Sequence, residues 1–233
     1  MRRHDPTNSR QGASPALVVL GASGHAKVVA DAVSRLGAYR IVRFFDTTSP
    51  ERAGQDFCGA PVCSDWRALD ELWRQGVRCA FVAIGNCSAR TRLGERLLGQ
   101  GFELPLLIHP AAIVSPSARI GGGTFVAAGA VVGPDCQIGR HVIINSAASV
   151  DHDCVLEDGV HVCPRVALGG SVRIGTRSWI GIGATIIEKR NIGRDCLVGA
   201  GAVVLADVSD ASRVAGCPAK PLPSASPKRS PRA

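Results

Sequence analysis

The chain has 233 residues, 45% hydrophobic and 20% charged, with 27 glycines and aromatics at only 4%. That balance excludes a disordered chain, argues against a helical bundle or a sandwich, and suits short strands joined by tight corners. The formal charge of +8 sits mostly at the ends, since residues 1–15 contribute +2 and residues 220–233 contribute +4, so it does not point to a nucleic-acid surface.

The two ends, 1–15 and 223–233, are rich in Pro, Ser and Arg and are expected to be disordered basic tails. The first predicted strand is Ala16–Leu20, which runs into Gly21-Ala-Ser-Gly-His-Ala-Lys27. A helix is expected next, from the spacing of Val28, Val29, Val33 and Leu36, with Gly37 as its stop. Strand, glycine turn and helix form the first unit of a Rossmann-like nucleotide-binding sheet. There the glycines let backbone approach a phosphate and the helix N-terminus offers free N–H groups. Gly21 and Gly24 alone fall short of the full G-x-G-x-x-G fingerprint. A second strand, Ile41–Phe45, ends in Asp46, where an acid can bond a ribose hydroxyl, and a third, Cys79–Ile84, ends in Gly85-Asn86. The three strand ends are expected to face one pocket; a vestigial unit that merely caps the second half of the chain is the alternative.

From Ile108 to Val204 every sixth residue is aliphatic, seventeen positions in unbroken phase. Four residues after each stands mostly a small or β-branched residue, such as Ala130, Cys136, Ala148 and Cys154. In eight of the seventeen units the residue right after the aliphatic one is Gly. A period of six fits neither an α-helix nor a sandwich, and a bulky phase alternating with a small one fits a coil of narrow interior: a parallel β-helix. The glycines are expected to relax tight corners where φ is positive.

Nine cysteines occur without any C-x-x-C. An odd count, irregular spacing and the lack of a signal peptide point to free thiols in a reducing cytoplasm. No apolar run approaches the roughly 18 residues of a membrane span. Cys58, Cys63 and Cys87 lie outside the coil, and none has a Cys–His signature. Among the histidines, His4 falls in the tail, while His109 and His141 are read as structural. His152, in Val-Asp-His-Asp at 150–153, falls at a surface phase with a carboxylate on each side. A neutral imidazole held by a carboxylate is the form a general base takes. Asp153 and Asp151 both remain candidates to orient it. His141, His152 and His161 also raise a zinc-dependent β-helix enzyme, but spacings of 11 and 9 lack a close ligand pair.

The pattern I-G-x-x-small-x resembles the hexapeptide-repeat family of left-handed β-helices. With V-L-G-A-S-G-H-A-K-V-V at the front, V-A-I-G-N at 82–86, L-I-H-P at 107–110, V-D-H-D at 150–153 and G-C-P-A-K at 216–220, residues 16–222 are similar to the sugar O- and N-acyltransferases. These are the enzymes grouped with the sialic acid O-acetyltransferase and the bacillosamine-pathway acetyltransferase. The resemblance implies a Rossmann-like nucleotide-sugar domain at 16–107 and a left-handed β-helix at 108–222. It further implies a cytoplasmic homotrimer with acetyl-CoA between neighbours and no metal. By the same likeness Ser23, Gly24 and His25 are implied at the sugar-nucleotide phosphates, and Asp46, Thr47 and Gly85 at the nucleoside. His152 is implied as base with Asp153, where relatives commonly have Glu, and His161, Gly170 and Ile182 as acetyl-CoA contacts. The expected reaction is acetylation of the amine of a nucleotide-linked 4-amino-4,6-dideoxy sugar. A sugar O-acetyltransferase of the sialic acid type and a noncatalytic scaffold are the alternatives.

Overall fold

A computed structural model describes residues 14–223. Most of both expected tails lies outside the described residues. Ser14 and Pro15 belong to the folded part instead: Ser14 Oγ donates to the Gly37 carbonyl at 3.0 Å, and the Pro15 carbonyl accepts from the Arg40 N–H at 2.9 Å.

The front of the chain is a five-stranded sheet with helices on both sides. Its elements are β1 (Ala16–Leu20), α1 (Gly24–Leu36), β2 (Arg40–Phe45), β3 (Asp56–Phe57), β4 (Ala60–Cys63), α2 (Arg67–Arg74), β5 (Cys79–Val82) and α3 (Cys87–Gly99). The order across the sheet is β3-β4-β2-β1-β5. β1 lies parallel between β2 and β5, which aligns the ends of all three at one edge. The helix after the glycine turn buries Ala26, Val29, Ala30, Ala32 and Val33 and stops at Gly37, in the left-handed region at φ 66°. Val28, expected on the apolar face, is 40% exposed.

From Leu107 onward the chain winds into a parallel β-helix of two-residue strands. Each turn takes 18 residues, so Phe125 pairs with Ile143 and Ile143 with His161. Three sheets result: a first through Leu107–Ile108 and Phe125–Val126, a second through Ile113–Val114, and a third through Arg119–Ile120. The first ends in Arg213–Ala215, on which Lys220–Pro221 pairs antiparallel. Inside, the aliphatic phase stacks on the small phase, and Val126, Ala130, Val132, Cys136 and their counterparts are almost wholly excluded from water. Dense packing of that kind is the main source of a solenoid's stability.

The glycines after each aliphatic residue serve a different end from the one expected. The positive φ angles fall two positions later, at Gly123, Gly129, Asp135, His141, Ala147 and Asp153 and onward. Gly121 is absent from that set; a Cβ there would come within 2.8 Å of backbone at Gly139 and Arg140 on the next turn. Close approach between turns, not handedness at a corner, is what those glycines permit.

The two parts share one core. Phe125, Ala127, Leu107 and Ile143, on the outward side of the first sheet, pack in one cluster with Leu17, Val19, Val29 and Phe81 of the front sheet. Helix α3 adds a second seam: a Cβ on Gly94 would overlap the His141 ring, so helix and coil meet with no room to spare.

Candidate active site

Where β1 and β2 end, a cavity of about 200 Å³ opens, lined by Gly21, Ser23, Asp46, Thr47, Trp66 and Ile84 among others. Gly21 is at φ 110° and a Cβ there would sit 2.7 Å from the Ala83 carbonyl, so only glycine lets the loop close on β5. Ser23 precedes α1 without capping it, and Gly24 borders open space. The first turn of α1 therefore keeps its N–H groups free for an anion. Asp46 takes hydrogen bonds on Oδ1 from the Thr48 N–H and hydroxyl, at 3.0 and 2.6 Å. On Oδ2 it takes Arg52 at 3.3 Å, which also donates to the Ala22 carbonyl. Burial pushes the Asp46 carboxyl up, but those bonds and the Arg52 charge outweigh it and hold the group below its ordinary value.

His25 and Gly85 lie off this cavity, at the seam with the coil. The His25 ring meets Phe125 edge-on at 5.6 Å and lies 6.3 Å from His161, and its Nε2 is buried without a partner. Burial, then the His161 and Arg90 charges, push His25 down to about 3, so it is neutral at neutral pH. The Gly85 carbonyl accepts from His161 Nδ1 at 3.2 Å. That bond makes Nδ1 the protonated nitrogen and turns Nε2, as acceptor, towards Asn145 Nδ2 at 3.3 Å. His161 is only 7% exposed; burial first and Arg90 second lower it to about 4.

His152 occupies a corner between the second and third sheets, flanked by Ser149–Val150 and Val155–Leu156. Its Nδ1 donates to Asp153 Oδ2 at 2.7 Å, while Asp151 Oδ1 accepts the His152 backbone N–H at 2.8 Å. The two flanking acids thus divide the work: Asp153 orients the ring and Asp151 fixes the backbone. Asp153 reaches the ring because it stands at the left-handed corner position, φ 58°. The hydrogen bond to Asp153, and then the charge of Asp151, raise the imidazole above its ordinary value. Nε2 makes no hydrogen bond among the described residues and belongs to an exposed side chain, so it is free to take a proton.

Gly170, one turn on, lies beneath this imidazole, and a Cβ there would come within 2.5 Å of His152 Nε2. Gly170→Ala is expected to leave folding nearly unchanged, because the exposed ring can swing aside, yet to break the bond to Asp153. With a base displaced by about 1 Å, turnover should fall on the order of 10²-fold. Steady-state kinetics beside a thermal melt checks both halves of that expectation.

Within one chain the expected residues fall into separate groups. Ser23, Asp46 and Thr47 line the cavity, with Gly24 beside it; His25, Gly85 and His161 gather at the seam; and His152, Asp153 and Gly170 share a corner. Ile182, 55% exposed, stands on another corner, between the first and second sheets. The His152 corner lies across the coil from the first sheet, onto which the front domain packs. Among the described residues no three His, Cys, Asp or Glu side chains gather as a metal would require. No helix among them is long and apolar enough to cross a membrane. A wider groove of about 500 Å³ along the third sheet is lined in part by paired charges, such as Arg194 and Asp210 at 3.0 Å, and its lining holds no histidine or cysteine.

Sequence reasoning missed Arg90, which is 1% exposed. Its signal was present: in α3 it interrupts the buried stripe Cys87, Gly94, Leu97 at helical spacing.

Residues 16–97 match the family described as the PglD N-terminal domain. A UDP-N-acetylbacillosamine N-acetyltransferase from Bacillus subtilis (strain 168) is 37% identical over 115 residues, 48% of this chain and 51% of that protein. The match thus spans about half the length of that curated relative. Among solved structures, one is a histidine-to-alanine variant of GDP-perosamine N-acetyltransferase from Caulobacter crescentus, in complex with CoA and GDP-perosamine. It is 41% identical with a TM-score of 0.85, over 90% of this chain and 97% of that one. Another is the acetyltransferase domain of PglB from Neisseria gonorrhoeae FA1090 in complex with acetyl coenzyme A. It is 43% identical with a TM-score of 0.83, over 90% of this chain and all of that one.

Proposed function

The chain belongs to the hexapeptide-repeat sugar acyltransferases that join a PglD-type front domain to a left-handed β-helix. From that footing we infer that it transfers the acetyl group of acetyl-CoA to the amine of a nucleotide-linked 4-amino-4,6-dideoxy sugar. The observation that carries this reading is the His152–Asp153 bond of 2.7 Å, which leaves Nε2 without a partner in a chain that also holds a cavity at the strand ends beside the glycine turn. The solved relative with CoA and GDP-perosamine supports the same pairing of donor and acceptor.

In the proposed step the neutral amine attacks the thioester carbon while His152 Nε2 takes a proton from the attacking nitrogen. Asp153 stabilises the imidazolium that forms. The tetrahedral intermediate then collapses, the C–S bond breaks, and the imidazolium returns its proton to the departing sulfur. No covalent enzyme intermediate is needed. Ser23, Gly24 and the first turn of α1 would take the diphosphate, and Asp46 and Thr47 the nucleoside. His25 and Gly85, expected beside the phosphates and the nucleoside, stand at the seam with the coil instead of in the cavity lining. His161, Gly170 and Ile182 would contact acetyl-CoA. Residues 16–107 are the acceptor-binding part and 108–222 the transferring part.

The proposal includes a homotrimer, because in one chain His152 stands across the coil from the cavity. The second sheet turns Ile113, Val131, Ser149, Ala167, Thr185 and Val203 outward, small or apolar side chains suited to packing against a neighbour. Of these, Ile113 is 68% exposed in the single chain. A three-fold assembly would bring one chain's His152 corner to the next chain's Ile182 corner and cavity. The free thiols suit a reducing cytoplasm.

A mass-spectrometric acceptor screen with acetyl-CoA tests the reading, using UDP- and GDP-linked 4-amino sugars, their hydroxyl counterparts and sialic acid. Acetyl gain on one nucleotide amino sugar is expected. Transfer only to a sialic acid hydroxyl would move the protein to the O-acetyltransferase branch, and no transfer to any acceptor would favour a scaffold.

A further inference from the structure

Arg90 heads the fully buried side chains by size. It stands in the first turn of α3, just after the Asn86 cap, where the partial positive charge of the helix end opposes a cation. Its hydrogen-bond partners include no carboxylate. It reaches five backbone carbonyls: Nε donates to His141 at 2.7 Å, Nη1 to Ile84 at 2.9 Å and Gly85 at 3.0 Å, and Nη2 to Gly159 at 2.8 Å and Val160 at 3.3 Å. Ile84 and Gly85 belong to the turn after β5, whereas His141 and Gly159 are corners on successive turns of the coil. A buried cation without a counter-ion is costly, and a purely apolar seam would hold the two parts together at less cost. What an apolar side chain would not do is fix a carbonyl at a chosen point.

The carbonyl of interest is that of Gly85, which accepts both Arg90 Nη1 and His161 Nδ1. We propose that Arg90 is a positioning residue: by pinning the Gly85 carbonyl between front domain and coil, it sets the ring orientation and the tautomer of His161, and with them the donor side of the reaction. The guanidinium charge, after burial, also helps keep His161 and His25 neutral. The consequence for turnover rests on the acetyl-CoA contact proposed for His161; the placement of the ring does not.

Two variants of the full chain test this. Arg90→Met removes all five donors at similar length. Arg90→Lys keeps the charge but cannot span three chain segments with one ammonium. Circular dichroism and size-exclusion chromatography establish folding, and NMR of ¹⁵N-labelled histidine reads the His161 tautomer. The wild type is expected to show one Nδ1-protonated form, and folded Arg90→Met a mixture, with Arg90→Lys between them. Alongside, the KM for acetyl-CoA should rise about 10- to 100-fold, as for loss of a charge-assisted hydrogen bond, with a smaller change in kcat. If Arg90→Met does not fold, Arg90→Lys decides. A wild-type His161 signal in a folded variant overturns the proposal and leaves Arg90 as packing alone. A changed tautomer with unchanged KM upholds the positioning role and overturns the acetyl-CoA contact assigned to His161.

Discussion

Replacing His152 with alanine is expected to lower kcat/KM by about 10²–10⁴-fold, the range for removing a general base. Folding should be unaffected, because the side chain is exposed and bonds only its neighbour. The base works in its neutral form, so activity should rise with pH through the His152 pKa. The Asp153 hydrogen bond, and then the Asp151 charge, raise that pKa, which places the acid limb of the rate profile above the usual imidazole value of about 6.5. Asp153→Asn should therefore move the limb down in pH while lowering the plateau, since the ring loses its orienting partner. A pH–rate profile of the three proteins separates the effects: alanine lowers the plateau, and asparagine both lowers it and shifts the limb. An unmoved limb in Asp153→Asn would mean that the limb belongs to another group.

The second large effect concerns stability. Phe125→Ala is expected to cost about 3–5 kcal/mol, the usual penalty for emptying a phenylalanine site in a core. Phe125 is wholly buried, although it points outward from the coil. It fills the seam, edge-on to His25 at 5.6 Å and to Phe81 at 6.5 Å. Its loss should loosen the front domain from the first sheet before the coil interior gives way. Urea unfolding followed by the fluorescence of Trp66 and Trp73, in the front domain, and Trp179, on the coil, would then separate into two transitions. A single unshifted transition would show that the seam contributes little.

The coil was legible because its interior is repetitive: a bulky phase and a small phase recur every six residues, and nothing else imposes that period. The corners were less so. Asp135, Ala147, Asp153 and Arg165 adopt positive φ without being glycine, since pairing with turns above and below over-determines the backbone. Residue type therefore does not mark the corner. In the front domain β1, α1, β2 and β5 followed from apolar runs and glycines. The two-residue β3 and the short α2 carry too few apolar positions to show a period. The pairing of His152 with Asp153 rather than Asp151 turns on that same left-handed corner, which no spacing rule reveals. Arg90, unlike Arg92 and Arg96 on the same helix, falls on the stripe of Cys87, Gly94 and Leu97, a signal blunted by three arginines in so short a helix.

The antiparallel pairing of Lys220–Pro221 on the last strand of the first sheet has a consequence for solubility. A stack of parallel strands presents unpaired backbone at its end, where a further strand from another molecule could add, and so could a fibre. Here the chain folds back over that edge. The returning strand runs the opposite way and includes Pro221, which has no N–H to offer. On that sheet the coil therefore carries its own stop, and head-to-tail polymerisation is blocked there by one short reversed strand and its proline.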